Sequence, residues 1–420
     1  MSQESCLIIE PTVSISIVNN DCFLYDTLSK NKIEFKEQPA LISFLNKVSA
    51  NNNVIRYSLE ENSSEINNFV KLIKDHFMGD LIPINKLSDL PFQMTNIINI
   101  QRDESKLRTG DSNSLSIGEK IVSYLKELNI LLNNQKNDAF LENAYNQFLY
   151  CGKNEPSNEQ LDYDKLLRFL EKINLNELTS INLTGSDISA YENIDKFLMY
   201  LEPFKLTKNL FFHIDVFNDQ IDSLKRLLTI INNKFWYNVV LFVHVKHIDL
   251  LKIKNAINVL TEKRIKHRFH FIIENEEDYF SSEATINEFK ISAYSILPFY
   301  NKKNIDFFEK HIFLEKEDIL AQELTLRKVN TLKKVNPNFF GKLYVDNSGN
   351  IFTNVNLEAV GHIALNSVAD ILHTELDKQK SWFDIKLNDD VCSNCVYNTI
   401  CPPKSNYEYF FNKSNLCTVR

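Results

Sequence analysis

A chain of 420 residues, 44% of them hydrophobic, is long enough to fold as two or three domains with a sizeable core. Its formal net charge is −8, with no basic stripe interleaved with aromatics, which argues against a nucleic-acid partner because phosphate binding needs concentrated positive charge. The opening Met1–Cys6 shows no basic-then-apolar signal and the apolar runs stay as short as Val239–Val243, so the sequence predicts a cytoplasmic protein with neither a signal peptide nor a membrane span.

The first region, 1–115, mixes strands and helices. Val13–Val18 and Cys22–Leu28 are β-rich runs around the turn Asn19-Asn20-Asp21 and predict a hairpin. Pro39–Val48 and Ile66–Phe77 carry helical periodicity, and polar Asp103–Ser116 predicts a linker.

From 116 to 300 the pattern alternates. Strands are predicted at Leu128–Leu132, Ser180–Leu183, Leu210–Val216, Val239–Val245, Phe269–Ile273 and Ile291–Leu297. Helices are predicted between them at Leu161–Ile173, Ile194–Leu201, Ile221–Ile231 and Leu250–Leu260. A repeat of βα units points to a parallel sheet, either a partial (βα)6 barrel or a doubly wound open sheet. Side chains alternate across a strand, so His213, Asp215, His244, Lys246, Arg268 and His270 fall opposite the apolar faces. On that basis they are candidates to line a barrel lumen and hold a ligand, the competing reading being a solvated face. Glu274, Glu276 and Glu277 read as a solvated loop after the fifth strand.

Connecting helices are expected over 301–339. Phe340–Val345 and Asn350–Val355 flank the hairpin signal Asp346-Asn347-Ser348-Gly349, and a helix follows at Val368–Leu376. Four of the seven cysteines crowd the tail as Cys392-x2-Cys395-x5-Cys401-x15-Cys417. In a reducing compartment disulfides are not expected, and four clustered thiols suit Zn²⁺ or an iron–sulfur cluster; ligand type alone leaves the metal open.

Gly349, then Asn354, then these four cysteines, resembles the SPASM domain that follows the radical SAM barrel in peptide-modifying enzymes. The wording Cys395-Val-Tyr-Asn-Thr-Ile-Cys401-Pro-Pro-Lys-Ser-Asn-Tyr-Glu408 is more specific. It resembles the pseudo-radical-SAM proteins that accompany radical SAM peptide maturases in GG-leader natural-product systems. Ile8-Ile9-Glu10-Pro11, Leu24–Leu28, Asn99–Asp103 and Pro298-Phe299-Tyr300-Asn301 extend the resemblance along the chain.

The resemblance implies a partial radical-SAM-like barrel, an N-terminal peptide-recognition region and a SPASM-like domain over 340–420. It also implies one [4Fe–4S] cluster on Cys392, Cys395, Cys401 and Cys417. Asn354 and Ser405 stand where the family has cysteines for a second cluster. The three cysteines that would open an iron to S-adenosylmethionine are missing: Gln135–Tyr150 has none, Cys151 stands alone, and Ala144 and Phe148 occupy the other positions. Gly185-Ser186-Asp187 resembles a degraded cosubstrate-binding segment. Use of S-adenosylmethionine is therefore not expected, and the implied partners are a radical SAM peptide maturase and a precursor peptide leader. An electron-relay protein or peptide-modifying enzyme, and a zinc-stapled scaffold, are the alternatives. There is no Gly-rich phosphate loop and no nucleophile elbow.

Overall fold

Short β-branched and aromatic runs separated by polar turns build the first layer. The computed structural model describes residues 5–51, 53–60, 62–84, 122–134, 147–148, 157–217, 222–378 and 380–419. Its first strands are β1 (Ser5–Ile9), β2 (Val13–Val18), β3 (Asp21–Asp26), β4 (Lys32–Phe35), β5 (Val54–Tyr57) and β6 (Gly79–Pro83). β1 lies between β5 and β6, and β3 between β2 and β4, all antiparallel. The hairpin expected at Val13–Leu28 forms, with Asn19 taking the left-handed turn position at φ 53°. It also gains β4, so among the described residues β2 has a strand neighbour on one side only. Helices Pro39–Ala50 and Ser64–Asp75 bury Leu41, Leu45, Phe69 and Ile73 against Leu7 and Leu24. Ser63 caps the second helix by accepting the Ile66 N–H.

The large sheet starts with β7 (Glu127–Leu131); β8 (Asn133–Asn134) and β9 (Ser157–Gln160) form a short antiparallel pair beyond it. It continues through β10 (Ser180–Thr184), β11 (Thr207–His213), β12 (Tyr237–His244), β13 (Lys266–Ile273) and β14 (Tyr294–Pro298). These six long strands are parallel and lie side by side in chain order, without the reversal of order that marks a doubly wound sheet. At the β7 edge the sheet is extended by β15 (Lys342–Val345), parallel to β7, then by antiparallel β16 (Asn350–Phe352) and β17 (Gly361–His362). The chain is therefore mixed α/β around one nine-stranded, mostly parallel sheet. The C-terminal hairpin is part of that sheet. Its turn needs Gly349, at φ 91°, where a Cβ would stand 2.9 Å from His362 Nε2.

One face of the sheet carries Leu128, Ile130, Leu183, Leu210, Phe212, Leu241, Phe269 and Phe271, packed on helices that include Tyr163–Leu170, Ile194–Leu201 and Leu250–Glu262. The opposite face begins with an amide ladder. Asn129, Asn182, Asn209 and Asn238 stand in register on β7, β10, β11 and β12. Asn238 Nδ2 donates to Asn209 Oδ1 (3.0 Å), Asn209 Nδ2 to Asn182 Oδ1 (2.7 Å), and Asn182 Nδ2 to Asn129 Oδ1 (2.7 Å). Asn129 Nδ2 donates to Glu127 Oε1 at 3.1 Å. An ionised carboxylate only accepts, so Glu127 fixes the direction of every rung. Above the ladder Phe211, Val240, Phe242 and Ile272 join Phe148 and Phe299 in a second apolar cluster.

Candidate metal centre

The cysteine tail is a succession of short turns held by side chains. Asp389 accepts the N–H groups of Val391 (2.9 Å) and Cys392 (3.0 Å), which starts the 3-10 turn Cys392–Asn394. Cys395 N–H closes on Cys392 O at 3.0 Å, and Cys401 N–H on Tyr397 O at 2.9 Å. Lys404 Nζ bridges Asp389 (2.7 Å) and Asp384 (2.8 Å), tying both ends of this loop together. Cys417 arrives from the far side through a bridge to Leu314, whose N–H donates to Leu416 O at 2.9 Å.

Cys392, Cys395, Cys401 and Cys417 thereby line one cavity of about 360 Å³, together with Lys386, Glu408 and Tyr397. Its far wall comes from the N-terminal sheet through Val18, Glu34 and Lys36. Phe23 packs edge-on against Tyr397 at 5.1 Å, Lys316 pairs with Glu34 at 2.7 Å, and Tyr25 joins Ile319, Leu324 and Ile400 in a shared apolar cluster. Burial pushes the Cys392 thiol up to about 11 and Cys401 up to about 12, with Lys386 opposing the rise in both. Burial also raises Cys395. Lys386 is itself buried, 3.0 Å from Glu408. Among the described residues, no three His, Cys, Asp or Glu side chains converge closely enough to hold a metal ion. The donor set and the cavity fit a thiolate-bound group, and binding one requires the thiols to draw together and lose their protons.

The two positions that depart from cysteine are engaged in other contacts. Ser405 caps helix Asn406–Phe411 and hydrogen-bonds Glu408, the partner of Lys386. Asn354 is fully buried and accepts the Asn356 N–H at 2.7 Å.

The predicted polar cluster divides. His213 and His244 are buried at the C-terminal strand ends. Asp215 does not continue the strand, because β11 stops at His213 and Ile214–Val216 turn as a 3-10 helix. It pairs with His213 (2.9 Å) and Lys252 (2.6 Å), which hold its carboxyl far below the usual range. Lys246 likewise lies in a 3-10 turn, 3.7 Å from Glu274. Contrary to the expected solvated loop, Glu274 is 5% exposed; it accepts from Asn301 at 2.6 Å and lies 3.7 Å from His244 Nε2, beyond hydrogen-bond length. His270 sits edge-on to Phe242 at 5.5 Å, and burial, with Arg268 adding, lowers its pKa to about 4. Arg268 leaves the group: it is exposed, near the start of β13. Burial holds the His244 pKa below its ordinary value, with Glu274 opposing, and His213 and His244 lie at the strand ends where parallel sheets place ligands.

Gly185, Ser186 and Asp187 close on Asn133. A Cβ at Gly185 would collide with Asn133 Oδ1, Ser186 Oγ donates to that oxygen at 3.2 Å, and Asn133 Nδ2 donates to Asp187 O at 2.6 Å. Asp187 caps the next turn through Ser189. Asn99–Asp103, the linker Asp103–Ser116, Ala144 and Cys151 lie outside the described residues. Sequence reasoning missed Lys386, Asp389, Lys404 and Glu408; charged residues interleaved with clustered cysteines were the available signal.

No helix among the described residues is long and apolar enough to cross a membrane. No family model matches the chain, and no curated protein matches it. Among solved structures, it is similar to SuiB of Streptococcus suis bound to S-adenosylmethionine, with 14% identity, a TM-score of 0.49, and coverage of 98% of this chain and 100% of that one. It is also similar to SuiB bound to the precursor peptide SuiA (13%, TM-score 0.44, coverage 98% and 99%) and to SuiB alone (12%, TM-score 0.44, coverage 98% and 100%). At TM-scores below 0.5 these likenesses assign this chain no ligand, partner or reaction.

Proposed function

We propose that this chain is an accessory, pseudo-radical-SAM protein of ribosomal peptide maturation, with a degenerate partial barrel over 116–300 and a SPASM-like domain over 340–420. In this reading Cys392, Cys395, Cys401 and Cys417 hold one [4Fe–4S] cluster. The observation that carries it is the cavity where those four cysteines face the N-terminal sheet. Such a cluster, when bound, supplies a one-electron redox centre or a cross-link for the tail. Zinc is the alternative. It would occupy the same four thiolates as a staple for the tail, with no redox role.

The chain's own residues have separable tasks. Lys386, buried beside the thiols and anchored by Glu408, offsets accumulating thiolate charge. The single-sided strand β2 offers main-chain groups to an extended leader peptide, and the β2–β3–β4 sheet carries that site directly on the cysteine tail. A radical SAM maturase would then supply the chemistry this chain lacks for want of its three iron-opening cysteines.

The test is anaerobic purification with iron and sulfide counts for the intact chain and four single Cys→Ala variants. A brownish protein whose iron falls in every variant supports the reading. Unchanged iron in all four, or a colourless protein with stoichiometric zinc, overturns the cluster. A pull-down with maturase and precursor tests the accessory role, which fails if the intact chain captures neither. If both still assemble with Cys395→Ala but modification stops, the cluster acts as an electron relay.

A further inference from the structure

At the end of the sheet where β12, β13 and β14 begin, a cavity of about 740 Å³ is lined by Arg264, Lys266, His267, Arg268 and Lys290. Every titratable side chain lining it is basic, in a chain whose net charge is −8. Ordinary helix capping accounts for part of this. Arg264 and Lys290 follow the C-termini of helices Leu250–Glu262 and Glu276–Phe289, where a cation complements the exposed carbonyls. Of the three consecutive basic residues on β13, Lys266 stands over the Phe235 ring at 3.5 Å and His267 Nδ1 lies 3.0 Å from Ile265 O, and neither capping nor these contacts account for Arg268. Arg268 and Lys266 are exposed, and Lys266 stands in register with Asn238, so it continues the line of the amide ladder on the next strand. On the ladder face, beside Lys266 and Arg268, the cavity carries Asn209, Asn238 and Val240, while Phe269, Ile257 and Phe289 lie on the helix-packed side of β13. Like charges gathered around one cavity repel one another unless an anion lies between them.

We propose that this cavity binds a small organic oxyanion, whose phosphate or carboxylate groups meet Arg268 with Lys266 close by, while its body covers Val240 and meets Asn209 and Asn238. The volume falls in the range of small-molecule sites and exceeds what an inorganic ion fills. A planar guanidinium offers paired donors to either oxyanion. The site lies at the opposite end of the strands from His213, His244 and Glu274, and away from the cysteine tail, so it stands independently of the cluster.

Calorimetric titration of the full chain with ADP and with citrate tests this, with inorganic phosphate as the comparison. ADP or citrate should bind at millimolar concentration or below, more tightly than phosphate, and the stronger of the two identifies the oxyanion source. Arg268→Ala should weaken it about tenfold, as expected for loss of one charge-assisted contact. Added salt should weaken it further. Lys254→Ala, an exposed cation on the same helix but outside the cavity, should leave it unchanged. No binding of either organic probe overturns the proposal. So does phosphate binding as well as both, which marks an adventitious ion only, or an affinity unchanged in Arg268→Ala and in Lys266→Ala.

Discussion

Replacing Asn182 by Ala tests whether the amide ladder stabilises the sheet. The change removes the donor to Asn129 Oδ1 and the acceptor of Asn209 Nδ2. Asn129 is fully buried, so its carbonyl keeps the whole penalty of an unmade hydrogen bond, about 1–3 kcal/mol. Asn209 is half-buried, and water recovers part of its loss. The sum is roughly 2–4 kcal/mol. Asn238→Ala is the internal control: it is the last rung, half-buried, and orphans only Asn209 Oδ1, so it should cost under about 1 kcal/mol. Urea unfolding followed by tryptophan fluorescence reads both. Trp382 is fully buried, packed on Phe340 at 5.0 Å, and donates to Lys342 O on β15, the strand beside β7. Equal costs for the two variants, or a loss below about 0.5 kcal/mol for Asn182→Ala, would refute the reasoning.

Tyr25→Phe should cost about 1–2 kcal/mol and loosen the N-terminal sheet from the tail, because its hydroxyl both accepts the Leu324 N–H (2.8 Å) and donates to Leu324 O (3.2 Å). Limited proteolysis between 26 and 39 reads the loosening, and an unchanged cleavage rate argues against it. Stability should fall on acidification through His270. Its folded pKa of about 4 lies below the unfolded value near 6.5, so the unfolded chain binds more protons between those values. The contribution is complete above about pH 6.5 and is lost as pH drops toward 4, worth about 2 kcal/mol after allowance for partial exposure. His270→Phe should flatten this slope in thermal melts; an identical slope in the variant would show that His270 is not the group responsible.

Local periodicity made the elements legible. Ile194–Leu201 matches its expected bounds, and the expected Val239–Val245 strand is observed as Tyr237–His244, because apolar spacing reports which side chains are buried. Strand ends were less legible: β11 stops at His213 and a turn over Ile214–Val216 begins, which apolar alternation through Val216 conceals. Pairings between distant segments left no local mark. Lys342–Val345 reads as half of a hairpin, and nothing near it announces β7 as its parallel neighbour. The four cysteines were visible as a set, but the sheet residues facing them were not, since Glu34 and Phe23 belong to strands whose own alternation is satisfied locally. The ladder was hidden by the abundance of asparagine, although Asn209 and Asn238 each stand just before an apolar run and Asn129 and Asn182 each interrupt one.

That ladder also settles a choice the hydrophobic pattern leaves open. A strand displaced by one residue turns its apolar face away from the helices and is rejected outright. A displacement of two restores every face and looks almost as good to packing alone. It would set Phe211 in the row now occupied by Asn182 and Asn238, and leave amides facing hydrocarbon on both neighbours. One amide per strand, at a single level and pointing one way from Glu127, therefore acts as an alignment key for four strands joined by long crossovers.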